Sequence, residues 1–192
     1  MMRLLLILFL TFSFYTLIKA DDVRDFEIEG MSVGDSLLDY FSEEYIEKRK
    51  KYYYPKSKKF FRINTGKIDN LETYEGIQFQ LLSNDNKYII YSISGLILYK
   101  NNIEDCYEFK NTLVKEIKSL FPTSENYNYK KKHNADKTGK SVVDRHDFYL
   151  ESGGMVLVKC SDWSEEMSSA DKLTVGILTK QLRDFIQNEA YK

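Results

Sequence analysis

Apolar and polar positions change period several times along this chain, and each change marks an element. Gly76-Ile77-Gln78-Phe79-Gln80-Leu81 alternates with period two, the mark of a half-buried strand. Lys87 to Leu98 is a longer β-rich run, and the polar Ser83-Asn84-Asp85-Asn86 between the two reads as a hairpin loop. Lys58 to Asn64 is a third candidate strand of this first half. After Asn101-Asn102 the period becomes helical: Cys106, Phe109, Leu113, Ile117 and Leu120 fall on one stripe, closed by Pro122. Residues 123–140 are polar and aperiodic and read as a long loop. Ser141 to Leu150 and Met155 to Trp163 form a second hairpin around Glu151-Ser152-Gly153-Gly154, and Lys172 to Leu178 is a further strand. Thr179 then caps a terminal helix with Leu182, Phe185, Ile186 and Ala190 on one face.

Two helices are expected ahead of the first strand. Ser32, followed three residues later by Asp35 and then by Leu37-Leu38, has the form of a helix start. Ser42 caps a second helix, Glu43 to Lys51, with acids in its first turn and bases in its last, as the helix dipole favours. The predicted order is ααβββα-βββα, an α+β fold in which helices pack on an antiparallel sheet. Residues 21–192 then make one domain with loose sub-halves, 21–121 and 141–192, joined by the polar loop 123–140.

The first twenty residues follow a different rule. Arg3 precedes a fifteen-residue apolar run, Leu4 to Ile18, and Lys19-Ala20 follow. A positive start, a short apolar stretch and a small residue at its end predict a secretory signal peptide, residues 1–20, cut after Ala20. The run is shorter than a spanning helix requires, so an uncleaved N-terminal membrane anchor is the alternative. The expected location is the periplasm or the exterior. With no Asn-x-Ser/Thr acceptor in the chain, glycosylation gives no support to a eukaryotic route.

Composition narrows the function classes. Fifteen Tyr, twelve Phe and only two Pro in 192 residues suit a folded core rather than a disordered tail. A net charge of −1 argues against a dedicated nucleic-acid binder. Two Cys and two His leave little room for a multi-ligand metal site, and no motif implies a cofactor. Cys106 on the helical stripe and Cys160 on the strand face of Val156 and Val158 both point to the core, where export would let them form a disulfide.

The charge is nonetheless blocked: residues 21–47 carry ten acids and one base, and residues 48–68 nine bases and no acid. Within the basic block, Lys48, Arg49, Lys51, Lys56, Lys58, Lys59 and Arg62 interleave with Tyr52, Tyr53, Tyr54, Phe60 and Phe61. Bases with aromatics suit an anionic polymer or an anionic membrane surface. The same pattern also describes a helix end and an edge strand guarded by lysine, neutralised by the neighbouring acids.

Catalytic motifs are absent. No G-x-S-x-G occurs, Gly139-Lys140-Ser141 lacks the earlier glycine of a phosphate loop, and Asn134-x-Asp136-x-Thr138-Gly139 has Arg145 where a calcium loop needs Glu. A hydrolase assembled in space would draw on His146, Asp162 and Glu165, so their convergence in one cleft is the feature to look for.

Gly30-Met31-Ser32-Val33-Gly34-Asp35-Ser36, ahead of two short helices and three strands, is similar to the start of the SmpA/OmlA (BamE-like) periplasmic family over roughly residues 26–100. That resemblance implies a helix pair packed on an antiparallel sheet and an envelope setting. The chain lacks the family's lipid-attachment Cys, and no functional residue carries over. With Cys160-Ser161-Asp162-Trp163-Ser164, the same glycine segment also resembles small exported proteins of AT-rich bacteria, which implies no activity. The expectation is an exported, non-catalytic binding or envelope-associated protein. It would meet an anionic envelope surface or another envelope protein through residues 48–62 or through a sheet face; the envelope hydrolase is the alternative.

Overall fold

Among the residues described by the computed structural model, 22–65, 71–100 and 102–192, seven strands form one antiparallel sheet. They are β1 (Phe60–Asn64), β2 (Gly76–Leu82), β3 (Ile90–Tyr99), β4 (Glu125–Lys132), β5 (Val142–Tyr149), β6 (Met155–Asp162) and β7 (Asp171–Leu178). The sheet order is β1-β2-β3-β7-β6-β5-β4, two meanders joined where the last strand lies beside β3. That register runs from Ser92 opposite Leu178 to Tyr99 opposite Asp171. The mixed α+β architecture is the one expected. The two sub-halves share one sheet. The signal peptide of residues 1–20 lies outside the described residues, among which no helix is long and apolar enough to cross a membrane.

Three α-helices accompany the sheet among the described residues: α1 (Glu43–Arg49), α2 (Ile103–Leu120) and α3 (Lys180–Asn188). Each starts at a side-chain cap: Ser42 accepts from Tyr45 N–H, Asn102 from Glu104 N–H and Thr179 from Leu182 N–H. One face of the sheet, built from Phe61, Ile63, Phe79, Val158, Val175 and Ile177 among others, is apolar and covered by α2 and the segment before α1. On the other face α3 packs Leu182 and Phe185 against Phe60, Leu157 and Leu178.

Three local expectations need correction. The segment from Ser32 is not a helix but a 3₁₀ turn, Leu37–Asp39, capped by Ser36. Its backbone is used elsewhere: Gly34 and Leu37 N–H donate to Ile90 and Tyr88 carbonyls, and Ile90 N–H donates to Asp35. Gly30 and Gly34, at φ 73° and 98°, supply the left-handed turns that this path needs. Second, the polar loop contains a strand. β4 ladders onto β5 from Glu125 opposite Tyr149 to Lys132 opposite Val142, and as an edge strand with mostly exposed side chains it needs no apolar residues. The second half therefore has four strands rather than three. Third, α2 is rotated from its expected stripe. Phe109 and Leu120 are 38% and 50% exposed, and Lys110, at 2%, is turned inward to Asp144 on β5.

Cys106 and Cys160 tie α2 to β6. Their sulfurs are 2.06 Å apart and their Cα atoms 6.1 Å, across 54 residues of sequence. In the chain-entropy account, closing a loop of that length contributes about 4 kcal/mol. The Cys106→Ala/Cys160→Ala protein should lose about that much in urea denaturation, and thiol titration of the unfolded, unreduced wild type should find no free sulfhydryl.

Candidate functional site

Strand alternation sends a second set of residues to the face opposite α2, and beside the apolar patch under α3 most of them are polar. β1 contributes Arg62, β2 Gln78 and Gln80, β3 Ser92 and Ser94, β7 Thr174, β6 Lys159 and β5 Arg145 with Asp147. Gly176 adds no side chain between Ser94 and Leu157, where a Cβ would lie 2.6 Å from the Ser94 hydroxyl. Arg62 on one edge strand and Tyr129 on the other line the same cavity, so the sheet curls around it. The cavity holds about 300 Å³, at the lower end for ligand pockets. Tyr53, Tyr129, Tyr149 and Tyr191 form its rim, and α3 closes one side with Arg183, Ile186 and Gln187.

The groove has more cations than its own acids neutralise. Asp147, 3% exposed, is the one acid among its lining residues and is held by Arg145; Arg183 is paired with Asp184. That leaves Arg62 and Lys159. Lys159 has no ion pair among the described residues. Burial, and then Arg145, Lys172 and Arg62, push its ammonium down to about 8, against a smaller opposing pull from the Asp147 carboxylate. Burial and Arg62 lower Lys172 on the next strand, whose ammonium stands 5.6 Å above the Trp163 ring. The Arg62 guanidinium lies 3.8 Å over the Tyr53 ring, yet its Nε is buried with no partner in the protein. The Oγ1 of Thr174, a residue only 6% exposed, is also unpartnered. Native proteins satisfy nearly all such groups, because leaving one unpaired costs about 1–3 kcal/mol. Two of the four such atoms among the described residues line this groove, Ser161 Oγ and Trp163 Nε1 being the others. Two in one groove, beside an ammonium without an ion pair, point to a ligand.

The wall also positions its neutral groups. The buried Tyr54 hydroxyl donates to Gln80 Oε1, leaving the Gln80 amide N–H donors free to turn to the groove. Gln78 donates to Asn64 and keeps its oxygen as an acceptor. Beyond Lys159 and Arg145 the groove opens into a second hollow of about 420 Å³, lined by Lys131, Lys132 and His133 and sharing the Tyr53, Tyr129 and Tyr191 rings. A larger hollow of about 490 Å³ at Thr123, Glu125 and Glu151 is lined by none of the buried unpartnered side-chain atoms found among the described residues.

The residues singled out from sequence scatter. Arg62 alone of the basic segment lines the groove, together with Tyr53 and Tyr54. Arg49 stacks 3.7 Å over Tyr45, Lys58 stands 5.7 Å over Tyr52, and Lys59 pairs with Glu189 at 2.9 Å. Lys48, Lys51 and Lys56 are exposed, and Lys51 exchanges backbone hydrogen bonds with Arg62 along the edge of β1. Among the described residues the acidic block scarcely pairs with the basic one. Among the described residues the ion pair between them is Lys50–Glu47, whereas Glu29 accepts from the N–H groups of Glu72, Thr73 and Tyr74.

His146, Asp162 and Glu165 do not share a cleft. His146 sits opposite Val158, four residues from Asp162 along β6, or about 13 Å at strand rise. His146 contacts Asn126 and Phe148, Asp162 accepts from Tyr107, and Glu165 lies in an exposed 3₁₀ turn. No group of three or more metal-ligating side chains occurs among the described residues. Lys159, Arg145, Thr174 and the Gln and Ser pairs escaped sequence reasoning. Their signal was polar residues at alternate positions of otherwise apolar strands. Comparison with protein-family models, curated proteins and solved structures found no match to this chain.

The depressed Lys159 gives a pH test. Its folded value lies below its unfolded one, so the folded state loses its proton first as pH rises. Stability should therefore climb from about pH 8 toward the ordinary lysine value. Replacing Lys159 by Met should raise the unfolding free energy from urea denaturation at pH 7, by on the order of 1–3 kcal/mol, and flatten that climb.

Proposed function

We propose that this is an exported, non-catalytic binding protein of the periplasm or exterior that holds an anionic ligand in the curled face of its sheet. The observation that carries the reading is the Lys159 ammonium, with no acid in ion-pair contact among the described residues, sharing a groove with the unpartnered Arg62 Nε and Thr174 Oγ1. An anion there pairs with both cations and accepts from the threonine hydroxyl, relieving the cost of three groups at once. The likeness of residues 26–100 to the BamE-like family adds an envelope setting and no ligand. The exposed Lys48, Lys51, Lys56 and Lys58 serve as a halo that draws anions toward the molecule without fixing them, since exposed charges are screened over about 8 Å in physiological salt.

Calorimetric titration with inorganic sulfate at about 0.15 M ionic strength, where the surface charges are screened, tests this. One saturable site is expected, weakened about tenfold or more by Lys159→Met or Arg62→Gln and nearly unchanged by Lys56→Gln/Lys58→Gln/Lys59→Gln. Affinity should fall as pH rises through about 8, where Lys159 loses its charge. If the triple surface change abolishes binding and the groove changes do not, the site is the 48–62 segment and the groove reading fails.

A further inference from the structure

Resting on that reading, we infer that the groove's ligand is an acidic saccharide, bound with a carboxylate over Lys159 and Arg62. A bare anion asks for donors alone. This lining alternates donors with acceptors: the hydroxyls of Ser92, Ser94 and Thr174, the amides of Gln78 and Gln80, and the carboxylate of Asp147. Asp147, paired with Arg145, gives a bare anion nothing to bind, yet it accepts readily from a ligand hydroxyl. Hydroxyl-rich molecules match such a surface because each hydroxyl both donates and accepts.

The rim fits the same ligand. Tyr53 and Tyr191 are 54% and 56% exposed, and with the half-buried Tyr129 and Tyr149 they offer flat, weakly apolar faces on which the C–H side of a sugar ring can lie. The unpartnered Nε of Arg62 belongs to a planar fork, and a planar carboxylate is the anion that such a fork matches two bonds at a time.

Two other polymers fit less well. Peptides commonly dock by main-chain hydrogen bonds to an open sheet edge, whereas this floor is the face of a sheet whose backbone groups are committed to neighbouring strands. Single-stranded nucleic acid needs bases that track a backbone along an open channel, but Arg62 and Lys159 converge in a cavity of about 300 Å³. The cavity does not end blindly. Past Lys159 and Arg145 it meets the hollow of about 420 Å³ where Lys131 and Lys132 stand, so a second acidic sugar unit finds both room and charge. The ligand is therefore an oligosaccharide with a carboxylate on successive units.

The experiment is calorimetric titration of the full, disulfide-bonded chain with galacturonate, trigalacturonate, maltotriose, tricarballylate, a hexaglutamate peptide and a short oligodeoxynucleotide. Trigalacturonate should bind at one site, about tenfold or more tighter than galacturonate, maltotriose or tricarballylate. Lys159→Met and Arg62→Gln should each weaken it about tenfold or more. Lys131→Gln/Lys132→Gln should weaken the trisaccharide and leave the monosaccharide unchanged. Thermal melts of every variant check that the fold is retained, and Gln78→Ala, which removes a neutral wall group, repeats the test without touching a charge. Tricarballylate, hexaglutamate or the oligonucleotide binding as tightly as trigalacturonate would overturn the saccharide. Sulfate binding with no saccharide binding would overturn it too and leave the anion site standing. Loss of both would take the site with it.

Discussion

Ser92 through Tyr99 run against Asp171 through Leu178, and on this ladder the rest of the molecule depends. It joins a three-stranded meander to a four-stranded one, so that residues separated by most of the chain share one surface. Arg62 belongs to the first meander and Lys159 to the second; without β7 beside β3 they would belong to different sheets. The ladder also puts Gly176 opposite Ser94, and the missing side chain there leaves the floor of the groove open. A pairing of such long sequence separation is intrinsically slow to form, because loop closure must precede the contacts that stabilise it.

The two faces of that sheet have opposite energetics, and one makes the other tolerable. On the apolar face α2 is held by the Cys106–Cys160 bond and by Lys110 turned onto Asp144, over a continuous bed of Ile, Val, Leu and Phe. In the groove of the polar face an ammonium is half-buried without an ion pair, and two further polar atoms have no partner. Each such group costs about 1–3 kcal/mol, against a net stability that for a domain is about 5–15 kcal/mol. A fold carries that burden only if its other face is firmly made. Residues that could be replaced by apolar ones with a gain in stability, and are not, are better explained by binding than by folding.

Much of the fold was legible from residue patterns, because the signals were local. Period two in Ile77, Phe79 and Leu81, helical period around Cys106 and Ile117, and the caps Ser42 and Thr179 each act within one element. Two misreadings came from contacts that local pattern does not contain. Gly34 to Leu37 spend their hydrogen bonds on Tyr88 to Ile90, so a helix-like start never becomes a helix. β4 is made by its partner β5, not by its own composition. The cysteine pair was readable since each lay on an apolar face; the groove was not. Gln80, Ser92, Thr174 and Lys159 are ordinary polar residues in four strands, and only the register shows that they meet.

The basic segment shows why composition alone could not find the site. Nine bases in 48–68 stand out in the sequence, but what a charge does depends on whether water surrounds it. Lys51, Lys56, Lys58 and Lys59 are exposed, so their fields are screened and their pairings worth little; along β1 they protect an edge strand from unwanted partners. Arg62 has the same formal charge and a different fate, set by strand phase. It lies two residues after Phe60, between Phe61 and Ile63, which face α2, and so it must enter the other face. There, with Lys159 nearby and its Nε unpartnered, the charge is expensive and therefore specific. One arginine of the segment belongs to the site because the pleat turns it inward; the exposed lysines belong to the surface.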